Sequence, residues 1–188
     1  MLILASQSPR RKQLLEWAEV PFEVIVSDTD ESFPAELSFE EAAIHIARNK
    51  ALAVTLSAKP ALPVLAADTI VVCNDRIIGK PKDREDAINI LHTLSGNTHR
   101  VITGVVLLNG NEEKAFADTT IVTFHPLTTA QIIFYVDKYQ PYDKAGAYAI
   151  QEWIGVVGIK SIEGDFYNVM GLPVSRVVRE LGIMKNEL

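Results

Sequence analysis

Leu2-Ile-Leu-Ala-Ser-Gln-Ser-Pro-Arg-Arg-Lys-Gln-Leu-Leu15 is the stretch on which the fold class turns. Leu2 to Ala5 read as a short buried strand, and Leu14, Leu15 and Trp17 as the apolar side of a helix. Ser8 fits the N-cap between them, and Pro9 the first helical position, where a missing N–H costs nothing. Arg10 and Arg11 then occupy the first helical turn, where the helix dipole disfavours each cation by ~0.3–1 kcal/mol. Two guanidinium groups at that end are consistent with an anion beside them. Unpaired N–H groups, the Ser6 and Ser8 hydroxyls and two planar forks would cradle a phosphate. A solvated basic first turn without a ligand accounts for the same residues.

The chain of 188 residues is long enough for one domain or two merged lobes around a sizeable core. A hydrophobic share of 48% and a charged share of 22% are those of a globular protein. The formal net charge of −6 argues against a broad nucleic-acid-binding face, but not against a small anion held by a few clustered cations. Cys73, the single cysteine, lies in an apolar run, so no disulfide framework and no zinc spacing is present. The first apolar segment is too short for a signal peptide, and no run approaches the length of a membrane span. A cytoplasmic location is the expectation.

Working outward, Phe22 to Val26 reads as a strand running into the acidic loop Ser27-Asp-Thr-Asp-Glu31. Such carboxylates form a solvated turn or a site for a hard cation. Ser38 and Glu41 form a capping box for a helix to about Leu56. On that helix Ala43, Ala47, Ala51 and Val54 share a stripe with Lys50 in its middle. Lys50 either snorkels to the edge or reaches a negative ligand inside. Pro63 to Cys73 is too apolar for an exposed strand and should be central. Asp68 interrupts it, and an ionised carboxylate there is expensive unless paired or bound to metal.

Asn74-Asp75 reads as a turn, Arg76 to Ile78 as a returning strand, and Gly79-Lys-Pro-Lys-Asp83 as a loop carrying Lys80 and Lys82. Asp83 caps a helix that ends at Ser95-Gly96. Val101–Leu108 and Ala117–Phe124 form an antiparallel pair through Asn109-Gly-Asn111. Thr128 and Gln131 cap a helix to about Tyr139, which Pro141 ends. A strand is expected over Val156–Ile162, then a turn at Glu163-Gly-Asp165. The final helix begins at Leu172-Pro173 and closes at Gly182. His45, His92, His99 and His125 show no metal spacing. The alternation of strands and helices, followed by antiparallel ribbons, predicts an α/β class with a mixed twisted sheet and flanking helices. No Walker loop, dinucleotide glycine fingerprint, Gly-x-Ser-x-Gly or His-Glu-x-x-His is present.

Six segments in order resemble the Maf family of nucleoside triphosphate pyrophosphatases, also called septum-formation-inhibitor proteins. They are Ala-Ser-Gln-Ser-Pro-Arg-Arg at 5–11, Ala-Asp-Thr at 67–69, Gly-Lys-Pro-Lys-Asp at 79–83, Leu-Ser-Gly at 94–96 with Thr-Gly-Val at 103–105, Asp-Lys-Ala-Gly-Ala-Tyr-Ala-Ile-Gln at 143–151, and Gly-Asp-Phe-Tyr-Asn-Val-Met-Gly-Leu-Pro at 164–173. The resemblance implies one Maf-like domain over residues 1–188, two merged lobes around a cleft, in the manner of inosine triphosphate pyrophosphatases. It implies hydrolysis of a nucleoside triphosphate to the monophosphate and pyrophosphate with Mg²⁺ or Mn²⁺, and a homodimer. Ser6, Arg10 and Arg11 would bind phosphates, and Glu31, Lys50, Asp68, Lys80 and Gln151 complete the site. Asp68 and Glu31 would hold the metal. The Ala-Tyr-Ala-Ile-Gln form of the late motif resembles the dTTP/UTP branch. A nucleotide-sensing regulator of division, without turnover, and the same chemistry on modified purine triphosphates are the alternatives.

Overall fold

The computed structural model describes residues 1–58 and 61–185, the side chains of 183–185 excepted. The strands are β1 Leu2–Leu4, β2 Phe22–Val24, β3 Val64–Cys73, β4 Arg76–Ile78, β5 Thr98–Asn109, β6 Glu112–Phe124 and β7 Ile159–Glu163. The helices are α1 Pro9–Trp17, α2 Phe39–Ala58, α3 Arg84–Leu94, α4 Thr129–Tyr139, α5 Trp153–Gly158, α6 Phe166–Met170 and α7 Val174–Lys185. The sheet order is β2-β1-β3-β5-β6-β7, with β4 hydrogen-bonded to β3. β1 runs parallel to both β2 and β3, whereas β3–β4 and β6–β7 are antiparallel. This is the mixed α/β sheet that the alternation of elements predicts.

The chain divides into two compact units. The first comprises Met1–Thr69, Thr103–Asp118 and Gly171–Leu188. Its core joins Ile3, Ala5, Ala47, Ala51, Val54, Val64, Ala66 and Val106, so the alanine stripe of α2 faces inward as its period demands. The small residues allow a close approach, and Gly104 of β5 sets its limit. A Cβ there would lie 2.3 Å from the Ala43 carbonyl carbon and 2.4 Å from the Ile44 nitrogen, so only glycine fits. The capping box forms as expected: the Glu41 N–H donates to Ser38 Oγ and the Ser38 N–H to the Glu41 carboxylate.

The second unit comprises Ile70–Ile102 and Thr119–Met170. Asn74 and Asp75 take φ of 52° and 54°, the left-handed pair of a tight hairpin turn, and Cys73 pairs with Arg76 across it. The Asp83 cap on α3 and the Thr128/Gln131 capping box on α4 are both present. His99 is buried between Phe124 and Tyr148, whose hydroxyl lies 2.7 Å from its Nε2.

Four expectations are corrected. Residues 156–158 are helical, so the strand expected from Val156 begins only at Ile159. The Gly155 and Val156 N–H groups both bond to the Glu152 carbonyl, and this helical turn overrides the β preference of the two valines. α7 continues through Gly182, since one glycine weakens a helix by ~1 kcal/mol without ending it. Trp17 is exposed: Arg11, Leu14 and Leu15 form the inward face of α1 at i, i+3, i+4 spacing, and Trp17 falls outside it. Ser8 occupies the N-cap position without a side-chain cap bond; its N–H instead donates to Ser6 Oγ.

Candidate active site

In the first unit the opening turn, the acidic loop, α2 and β3 bring oppositely charged side chains together. Lys50 Nζ lies 2.6 Å from Asp68 Oδ1 and 2.7 Å from Glu31 Oε1. The Lys50 and Asp68 side chains are 18% and 14% exposed, so the pair is held well out of bulk water while Glu31 reaches in from the surface. The ammonium thus faces two carboxylates of its own unit rather than projecting alone into solvent. Asp68 is likewise paired, as the cost of an unpaired carboxylate on a central strand requires.

Arg11 sits beside this cluster, buried on the inward face of α1. Its Nε–H donates to the Gly171 carbonyl at 2.8 Å, and its two terminal nitrogens donate to Ser6 Oγ at 3.0 Å and Thr69 Oγ1 at 3.1 Å. Burial lowers the pKa of the guanidinium; the Asp68 charge opposes that shift, Arg10 adds to it and Glu31 opposes it. Arg10 and Asp68 therefore act on one and the same group. Thr69 Oγ1 also lies 2.9 Å from Thr103 Oγ1 and 3.4 Å from the Gly171 carbonyl.

Ser6, Arg10, Arg11, Glu31, Lys50 and Asp68 are thus neighbours within one unit. Lys80 and Gln151 belong to the second unit, where both are exposed. Thr69, Thr103 and Gly171 are part of the arrangement although charge and periodicity do not single them out. Their signal was membership of the segments 67–69, 103–105 and 164–173.

Among the described residues no group of three or more His, Cys, Asp or Glu is placed to hold a metal ion. Two carboxylates do share one cation, Lys50, and their oxygens are the donors a hard divalent ion prefers. Such a pair fits Mg²⁺ or Mn²⁺ when phosphate oxygens and water supply the remaining positions.

Comparison with known proteins agrees with the motif pattern. The dTTP/UTP pyrophosphatase of Cytophaga hutchinsonii is 48% identical over 185 residues, covering 98% of this chain and 84% of that protein. The dTTP/UTP pyrophosphatase of Bacteroides thetaiotaomicron is 47% identical over 181 residues, covering 96% of this chain and 94% of that protein. The solved structure of the Staphylococcus aureus Ham1 protein aligns with a TM-score of 0.46 at 17% identity, over 65% of this chain and 71% of that one. The model of the family described as Maf-like protein matches residues 1–184. The resemblance carried by the six segments is borne out, and this chain belongs to the Maf family.

Proposed function

We propose that the protein is a nucleoside triphosphate pyrophosphatase that hydrolyses dTTP and UTP to the monophosphate and pyrophosphate. The observation that carries the chemistry is the Lys50 ammonium against both Asp68 and Glu31, with the Arg11 guanidinium feeling both carboxylates and Arg10 beside it. The substrate is supported by the names of relatives that are 47–48% identical along nearly the whole chain.

A triphosphate repels hydroxide at neutral pH, so cleavage requires neutralised charge and a positioned water. Asp68 and Glu31 would hold a Mg²⁺ or Mn²⁺ ion, whose chemistry there is to neutralise phosphate charge and acidify water. Asp68 accepts the proton of the water that attacks the α-phosphorus in line. Arg10 and Lys50 stabilise the negative charge that passes to the departing pyrophosphate, and the Ser6 hydroxyl donates to a phosphate oxygen. Lys80 as a further phosphate contact and Gln151 as a substrate contact are assigned by motif position; motif position alone would add Arg11 to the phosphate contacts, but its bonds go to Gly171, Ser6 and Thr69. A homodimer and a cytoplasmic location belong to the same reading; among the described residues no helix is long and apolar enough to cross a membrane.

The test is turnover of dTTP and UTP with Mg²⁺ in ¹⁸O water, beside the other nucleoside triphosphates and an EDTA control. The label is expected in the nucleoside monophosphate, with pyrophosphate unlabelled. Label in pyrophosphate or free phosphate rejects attack at the α-phosphorus. No metal-dependent pyrophosphate release from any nucleotide rejects the enzyme.

A further inference from the structure

We infer that Arg11 is a positioning residue, whose guanidinium sets the Ser6 and Thr69 hydroxyls rather than gripping phosphate; the inference rests on the pyrophosphatase reading. A phosphate-binding arginine presents its fork to the ligand. Arg11 does the opposite. It lies on the face of α1 shared with Leu14 and Leu15, is 8% exposed, and gives three of its five N–H groups, one from each nitrogen, to protein acceptors. The three acceptors come from the opening turn, from β3 and from the segment that precedes α7, so one side chain fixes three distant parts of the chain.

The consequence for Ser6 follows from counting lone pairs. A hydroxyl oxygen accepts at most two hydrogen bonds and donates one. Ser6 Oγ accepts from Arg11 at 3.0 Å and from the Ser8 N–H at 3.3 Å. Both acceptor positions are filled, so the Ser6 proton is left to donate. A hydroxyl committed as donor is what a phosphate oxygen, which only accepts, requires. Without Arg11 that hydroxyl regains an acceptor position and a choice of orientation.

At Thr69 the same fork fills one acceptor position, and the Thr69 proton turns to Thr103 Oγ1 or the Gly171 carbonyl. Thr69 follows Asp68 directly in β3, so pinning it holds the backbone that aims the Asp68 carboxylate. Gly171 presents its carbonyl to Arg11 at a φ of +115°, which glycine adopts freely.

The test compares Arg11→Lys and Arg11→Met, alone and combined with Ser6→Ala/Thr69→Val, measuring kcat and KM for dTTP with Mg²⁺ on folded protein. Lysine keeps the charge and loses the fork. Both single variants are expected to lose kcat alike, by up to ~10²-fold, the scale of a misplaced reacting group. In the Ser6→Ala/Thr69→Val background, Arg11→Met should change kcat by less than ~3-fold, because the groups through which Arg11 acts are gone. Three results overturn the inference: Arg11→Lys retains wild-type kcat while Arg11→Met does not; Arg11→Met costs the same factor in both backgrounds; or kcat is unchanged in both single variants. If Arg11→Met fails to fold, the Arg11→Lys kcat decides between fork and charge. Wild-type protein that releases no pyrophosphate from dTTP or UTP refutes the pyrophosphatase reading itself, before any variant is made, and this inference falls with it.

Discussion

At the scale of a single side chain, His99 couples acidity to stability. Burial lowers its pKa from 6.5 to about 4, so in the folded protein it stays neutral where an unfolded chain would be protonated. The unfolded state therefore binds more protons as pH falls below 6.5, and stability drops through that window until His99 itself protonates near pH 4. The loss is about 2 kcal/mol at pH 5. Denaturant titrations from pH 7 to 4.5 should show this slope, and His99→Gln should flatten it even if it lowers stability at pH 7. Asp68 gives a second test at this scale. Asp68→Asn should lower kcat at least ~10²-fold, as loss of a general base does, while the protein still melts cooperatively. Retention of more than about a tenth of the rate would exclude the base role.

Elements, rather than residues, decide whether those side chains meet. α2 carries Lys50, and its distance from β5 is set by Gly104 beneath Ala43 and Ile44. Gly104→Ala forces the helix backbone away. The expected outcome is a loss of about 1–3 kcal/mol from overpacking, with a fall in kcat as Lys50 is displaced. A variant as stable and as active as wild type would show that α2 is not fixed there. The β3–β4 turn makes the converse prediction. Asp75 holds a φ of 54° that glycine adopts more readily, and its ion pair to Arg100 is solvent-exposed. Asp75→Gly should be neutral or stabilising by up to about 1 kcal/mol, read as a raised Tm with unchanged kcat.

On the scale of the whole molecule, the two units are not successive stretches of chain. The chain passes from one to the other after Thr69, Ile102, Asp118 and Met170, and the first three of these points lie within β3, β5 and β6. Neither unit is encoded by one continuous segment, so neither can be released by a single cut. Limited proteolysis is expected to yield no stable half-length fragment, and calorimetry a single transition. Two resolved transitions would show that the units unfold separately.

Local signals in the sequence proved sufficient for most elements. The capping boxes at Ser38/Glu41 and Thr128/Gln131, the Asp83 cap and the Asn74-Asp75 turn are written in adjacent residues and form as read. The cationic first turn, Lys50 on an apolar stripe and Asp68 in a central strand were also legible, because each defies the ordinary placement of charge. The Val156–Gly158 turn was not legible, because a bond to the Glu152 carbonyl outweighs β-branched preference. Nor was the direction of Arg11. Two neighbouring arginines look alike as text, and only the packing of α1 turns one of them into the interior. There it meets Thr69 and Gly171, 58 and 160 residues away, whose hydroxyl and carbonyl no local pattern could have assigned to it.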